Sequence, residues 1–379
     1  MKIVADENIP LLQGFFAELG EITTAPGRSI NAAMLRDADV LLVRSVTQVN
    51  EALLKGSAVK FVGTCTIGTD HIDQAYLAAQ GIRFASAPGC NATGVMNYVL
   101  SALLCLAEYK GCALQDLSVG ILGVGNVGSR LVAALNALDM QVIAYDPYVE
   151  GYQDASLRER LLQCDVVTLH VPFTAEGEHA TWHLINAQNL QKMRQDACLI
   201  NASRGDVVDN AALSAHLHGH PQFNAILDVW ENEPCPDPQL MAQCLFASPH
   251  IAGYSQDGKW QGTAMIYQAL TDAFGLPQRQ KLAQMLPEPS LRKLSFSAEA
   301  NPAYILKKAI RASYDIRDDD MRMRALRGFD NKERAKAFDH LRKHYPERRD
   351  FCGIKVSLHA SAGALQKTLS ELGFRVKSR

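Results

Sequence analysis

Short apolar runs recur along the chain, most of them closed by polar or glycine-containing turns. Near the N-terminus, residues 2–5 (KIVA), 40–44 (VLLVR) and 60–63 (KFVG) are continuous enough for buried strands. Helix-patterned stretches, 51–56 (EALLKG) and 73–80 (DQAYLAAQ), lie between or after them, and Asp70 stands where its side chain could cap the second. Alternation of this kind predicts parallel strands joined by crossover helices. A long apolar helix is predicted over 92–109, and the strand–loop–helix pattern starts afresh at Leu117. SVGILGV, QVIAYD, DVVTLHVP, ACLINAS and FNAILDV form this second series, followed by a helical pattern over 257–274 that could return the chain to the first domain. Prolines and polar residues at 275–290 read as a linker. The last stretch is richer in Arg and Lys and includes a strand-like GIKVSLH. The expectation is an α/β protein with two Rossmann-like doubly wound parallel-sheet domains, a cleft between them, and a small C-terminal α/β domain.

Length and composition agree with that division. The chain has 379 residues, 47% hydrophobic and 21% charged, enough for two or three cores. A formal charge of -2 supplies no basic field for nucleic acid or an anionic membrane, so neither is expected as a partner. The N-terminus lacks the regions of a signal peptide, and no apolar stretch reaches the roughly 18–20 residues of a membrane span. Nine cysteines, without CxxC spacing, suit reduced thiols in a cytoplasmic protein better than a disulfide frame.

Gly123-Val124-Gly125-Asn126-Val127-Gly128 follows a predicted strand and opens a predicted helix. Gly123 suits the tight turn, Gly125 lets backbone approach a pyrophosphate, and Gly128 allows close helix–strand packing. The next strand ends at Asp146, whose carboxylate can accept from ribose hydroxyls and would repel the extra phosphate of NADP. NAD is therefore the expected cofactor, against the plainer reading of a structural turn.

Three further segments end or follow second-series strands: 201–205 (NASRG), 228–234 (DVWENEP) and 248–253 (SPHIAG). In open α/β sheets such groups converge outside the carboxyl ends of the strands. A guanidinium, Arg204, can hold a carboxylate and polarise the adjacent oxygen. An imidazole, His250, can take and return a hydroxyl proton. A carboxylate beside it, Glu233, orients the ring and favours its protonated form. Taken singly, each has a dull explanation: a strand end, a polar turn, a packed histidine.

With GVGNVG, LHVPFT, LINASRGDVVD, LDVWENEP and SPHIAG together, the second domain resembles the D-isomer-specific 2-hydroxyacid dehydrogenases. The resemblance implies Arg204 as substrate anchor, Glu233 as partner carboxylate and His250 as acid/base. It also implies cofactor contacts from Asn126, Val127, Asp146, Thr174, Ala202, Ser203, Asp228 and Gly253. VRSVTQVN, TCTIGTDHID and APGCNATGV resemble the family's substrate-side loops and place Ser45 and Thr66 near substrate. Gly94-Val95-Met96-Asn97 departs from the family, where a glutamate is frequent. The likeness implies a discontinuous substrate-binding domain (1–95 and 256–285), an NAD-binding domain (96–255) and a dimerisation domain (286–379), hence a homodimer; a regulatory ligand-binding module is the alternative for the last piece. It also implies a small phosphorylated 2-hydroxy acid as substrate, touched by Tyr254. Arg44 is the candidate for the phosphate, with a surface ion pair as the alternative. Another 2-hydroxy acid, such as 3-phosphoglycerate, and a non-enzymatic NAD-sensing scaffold are the competing functions.

Several other features are expected to be structural. His216, His218 and His220 lack the geometry of a metal site, and no metal is expected. His170 lines the cofactor pocket, Cys65 and Cys90 pack, and 317–320 (RDDD) forms a solvated surface.

Overall fold

In the computed structural model, which describes residues 1–359 and 362–378, the named strands form three sheets, each wholly parallel. The chain divides into two units, Met1–Asn91 with Ser255–Glu288, and Ala92–Tyr254 with Pro289–Arg379.

The first unit holds β1 (Lys2–Asp6), β2 (Glu21–Ala25), β3 (Val40–Val43), β4 (Phe61–Thr64) and β5 (Arg83–Ala85) in the order β2-β1-β3-β4-β5. Successive side chains alternate between faces. Ile3, Ala5, Val40, Leu42 and Phe61 join one buried cluster with Ile266, Tyr267 and Leu270. Val4, Leu41, Val43 and Val62 join the other with Leu35, Leu54 and Leu77. The returning helix, Gln256–Phe274, starts where the Ser255 hydroxyl accepts the Gly258 N–H at 3.0 Å and stops at Gly275, whose φ is 64°. The strand order reverses between β1 and β3, which makes their carboxyl ends the switch point where ligands bind such sheets.

The second unit repeats the plan. β6 (Val119–Leu122), β7 (Val142–Tyr145), β8 (Val166–Leu169), β9 (Cys198–Asn201), β10 (Asn224–Leu227) and β11 (Phe246–Ala247) lie in the order β11-β10-β9-β8-β6-β7, with the switch point between β6 and β8. Its long helix, Ala92–Lys110, has the length and mean hydropathy (1.2) of a membrane span, which corrects the expectation that no stretch approaches one. Most of that helix is buried in the protein core, against the C-terminal residues Ile305, Leu306, Ile310 and Phe351 as well as its own sheet. A third sheet, β12 (Lys293–Ser295), β13 (Lys355–Leu358) and β14 (Arg375–Ser378), completes the unit with β13 in the middle.

Two local expectations are corrected. The helix Gln74–Ala79 is capped by Asp73, which accepts the Tyr76 N–H at 2.9 Å, and not by Asp70, which lies too far upstream to reach the first turn. The 317–320 run is not a solvated surface throughout. Asp319 is 2% exposed and accepts from the hydroxyls of Tyr314 and Tyr345, while Asp320 accepts the Ala247 N–H at 2.9 Å. Helical spacing turns two of the three carboxylates, Asp319 and Asp320, toward the protein and leaves Asp318 exposed.

Candidate active site

Three neighbouring strands of the second sheet, β9, β10 and β11, each run into one of the predicted catalytic turns. Glycine and tryptophan hold these turns together. A Cβ on Gly205 would fall on the Trp230 carbonyl, so the absence of a side chain lets the Arg204 turn lie against the next one. Trp230 donates its indole N–H to the Ser248 carbonyl at 2.9 Å and its backbone N–H to Glu233 at 2.9 Å. One residue therefore ties the glutamate to the histidine turn.

The second carboxylate oxygen of Glu233 lies 2.7 Å from His250 Nδ1. That contact fixes the ring and leaves Nε2 as the nitrogen available for proton transfer. Burial pushes the Glu233 carboxyl up, but the His250 hydrogen bond and charge, the Trp230 N–H and the Arg342 charge outweigh it, so the group is held below its ordinary value. His250 has φ 57°, in the left-handed region that non-glycine residues seldom adopt. Asp228, 1% exposed, supports that turn. It accepts from the Ser248 hydroxyl (2.6 Å) and from the N–H groups of Ile251 and Ala252 (2.8 Å each), which gives this expected cofactor residue a backbone-holding task. Arg204 donates to the Ser203 carbonyl at 2.8 Å and has no carboxylate partner among the described residues. A half-buried guanidinium so placed suits an anionic ligand.

The glycine loop sits at the switch point. Gly123 has φ 94°, and a Cβ there would lie 2.6 Å from the His170 carbonyl oxygen. At Gly128 a Cβ would overlap the Gly123 carbonyl, whereas at Gly125 it would meet nothing within 4 Å. The loop is thus closed behind and open in front, and the helix Asn126–Ala137 begins there with its N–H groups free of side-chain caps. Asp146 follows β7 and accepts from Val124 N–H at 2.8 Å and Tyr148 N–H at 2.9 Å. These residues fit a dinucleotide. Thr174 lies exposed in a loop where its N–H donates to the Thr181 hydroxyl, and Ser203 is buried against Asn201. Ala202 and Gly253 are half-buried at the ends of the same catalytic turns. Burial pushes the His170 imidazole down to about 3, so this ring is neutral at the loop's back wall.

In the first unit, Arg44 follows β3 and Asp6 ends β1, so both lie at that sheet's switch point. Their ion pair, 3.2 Å from Arg44 Nε to the carboxylate, joins a fully buried aspartate to a partly exposed arginine. Ser45 is exposed beside it, and the Thr66 hydroxyl lies 2.7 Å from that of Thr64. Lys259 was not anticipated. Burial, with the Arg44 charge, pushes its ammonium below the ordinary value. Its only sequence signal was a lysine in the first turn of the returning helix.

Among the described residues, His183, Asp209 and Glu231 could in principle gather round a metal. Both ring nitrogens of His183 already face carboxylates, at 2.7 Å and 3.8 Å, and Asp209 also caps a helix. His216 and His220, one helical turn apart, stack at 4.0 Å. Burial pushes the thiols of Cys65 and Cys90 up to about 12 and about 11, which leaves them protonated and poor nucleophiles.

The family model described as D-isomer specific 2-hydroxyacid dehydrogenase, NAD binding domain, matches residues 106–252. A second, described as a domain of unknown function, matches residues 285–373. The erythronate-4-phosphate dehydrogenase of Hahella chejuensis is 50% identical over 381 residues, covering 100% of both chains. That of Pseudomonas entomophila is 52% identical over 376 residues, covering 98% of each. Among solved structures, the 3-phosphoglycerate dehydrogenase of Entamoeba histolytica bound to NAD+ aligns with a TM-score of 0.61 at 23% identity, over 73% of this chain and 95% of that one. The D-lactate dehydrogenase of Aquifex aeolicus, complexed with NAD and lactic acid, gives 0.57 at 23% identity, over 73% and 96%. These two likenesses concern the fold.

Proposed function

We propose, for a chain that belongs to the erythronate-4-phosphate dehydrogenase family within the D-isomer-specific 2-hydroxyacid dehydrogenases, the NAD-dependent oxidation of 4-phospho-D-erythronate to 2-oxo-3-hydroxy-4-phosphobutanoate, a step toward pyridoxal 5'-phosphate. The 2.7 Å contact between Glu233 and His250 carries this reading, because it prepares one imidazole for proton transfer, while Arg204 has no carboxylate partner among the described residues. NAD, when bound, supplies a hydride acceptor at the carbon that bears the hydroxyl. Arg204 binds the substrate carboxylate and polarises the oxygen next to it. His250 takes the hydroxyl proton on Nε2 as the carbonyl forms, and Glu233 holds the ring and offsets the charge that develops on it.

Gly123, Gly125 and Gly128 with the helix N-terminus at Asn126 and Val127 receive the pyrophosphate, and Asp146 receives the ribose. Thr174, Ala202, Ser203, Asp228 and Gly253 line the rest, Asp228 through the turn it holds. Arg44, assisted by Lys259 and the hydroxyls of Ser45 and Thr66, binds the phosphate end, and Tyr254 contacts substrate. Arg44 meets Asp6 through Nε, and the rest of its guanidinium fork suits phosphate oxygens. The protein acts in the cytoplasm as a homodimer. Cysteines without CxxC spacing suit that compartment, and the exposed Tyr304, Met321 and Phe329 support pairing through the C-terminal segment.

NADH formation, followed with 4-phosphoerythronate and with 3-phosphoglycerate at equal concentrations, tests the substrate. The first should turn over with the larger kcat/KM. Turnover of 3-phosphoglycerate alone would transfer the enzyme to the other substrate of this chemistry.

A further inference from the structure

The C-terminal segment reaches the turn that carries His250. Arg348, 4% exposed, donates from Nη1 to the Ile251 carbonyl at 3.3 Å and from Nη2 to the Gly94 carbonyl at 2.5 Å. Its guanidinium lies 3.7 Å from the centre of the Tyr314 ring. Three residues later than Ile251, the Tyr254 ring meets Tyr345 edge-on at 5.8 Å and Arg342 at 5.7 Å. A seven-residue stretch, 342–348, therefore touches the 250–254 turn at its backbone and at its last side chain.

His250 needs such support. Its left-handed backbone is held on the N–H side by Asp228, through Ile251 and Ala252, and by its own N–H to the Asp228 carbonyl at 2.7 Å. On the carbonyl side the Ile251 oxygen accepts the Tyr254 N–H (2.8 Å) and Arg348. A buried charge is costly, and a Leu or Met would fill the same space without that cost. An arginine here makes sense for its forked donors, whose rigid plane holds two carbonyls at set positions where a rotating ammonium would not. The charge is balanced by the carboxylates of Asp350 and Asp319 close by.

We propose that Arg348 is a positioning residue for the reaction: by bridging the carbonyls of Gly94 and Ile251 it fixes the His250 turn so that Nδ1 meets Glu233. The C-terminal segment is thereby part of the machinery that aligns the acid/base group, apart from any part it has in pairing two chains. The inference rests on the role given above to His250, and its test includes a measurement that needs no substrate.

Arg348→Lys and Arg348→Met are compared with the parent in the full-length protein, well below each variant's Tm. The methionine variant should lose roughly 10- to 100-fold in kcat, as expected for a slightly misplaced group, and the lysine variant less. The pH limb of kcat/KM that reports His250 should move in both, while NAD affinity stays at the parent value. In histidine-labelled protein without substrate, the NMR titration of the His250 imidazole should move in the same direction as that limb. A fall in Tm with kcat, pH limb and imidazole titration all unchanged would overturn the proposal, leaving Arg348 a packing residue. Should the methionine variant not fold, the lysine variant carries both readouts. A moved titration without any turnover of phosphoerythronate by the parent would instead fault the substrate assignment and leave the clamp standing.

Discussion

Glu233 sits where burial and hydrogen bonding oppose one another. Burial alone would raise its carboxyl, yet the His250 ring and the Trp230 N–H hold it below the ordinary value. A carboxylate depressed in the folded state adds stability above its unfolded value, and that stability is lost as pH falls through the folded one. Glu233→Gln should therefore lower Tm near neutral pH, and the gap to the parent should close in acid. Thermal melts across that range check it; a gap that widens in acid would reverse the sign argued here. Trp230 and Arg348 illustrate what one residue can do without touching substrate. Neither stands out in the sequence, because an indole N–H to a carbonyl eighteen residues on, and a guanidinium to one ninety-seven residues back, leave no local pattern.

At the scale of elements, the strands read from the sequence are those with buried runs, together with the partly buried edge strand β7, whose VIAY is apolar. β1, β3, β4, β6, β8, β9, β10 and β13 are flanked on both sides in their sheets, and each carries a continuous apolar core. The strands that escaped notice are β2, β5, β11, β12 and β14, all at sheet edges, where one side lacks a neighbour and side chains face water. Glu21–Ala25, with the sequence EITTA, has no apolar run to find. The glycine loop was legible because its spacing serves backbone geometry directly, whereas the proposed phosphate end was only partly so: Arg44 was visible, but its buried Asp6 partner and Lys259 come from other elements. The second and third glycines of the loop make the element-scale prediction. Gly125→Ala meets open space, so Tm should hold while NAD affinity falls roughly tenfold or more, about 1.4 kcal/mol. Gly128→Ala forces the helix off the Gly123 carbonyl and should cost about 1–3 kcal/mol of stability. Calorimetric titration with NAD and thermal melts separate the two; equal loss of Tm in both would remove the distinction between an open front and a packed back.

In the whole molecule, one strand order is used twice. The residues proposed for acid/base and cofactor roles stand on the sheet of the second unit, and the paired Arg44 and Asp6 on that of the first. The C-terminal segment shares a continuous apolar cluster with the long helix Ala92–Lys110, each buried aliphatic side chain contributing about 1.5–3 kcal/mol. This sharing was not evident from the sequence, where the segment's Arg- and Lys-rich composition suggested a piece set apart. Turnover is the property in which these parts meet, and His250→Asn tests it most directly. The variant keeps a hydrogen-bonding side chain but cannot hold the proton, so NADH formation from 4-phosphoerythronate should fall by roughly 10²- to 10⁴-fold while NAD binds as before. A variant that turns over at the parent rate would contradict the assignment of the proton to His250 and the mechanism built on it.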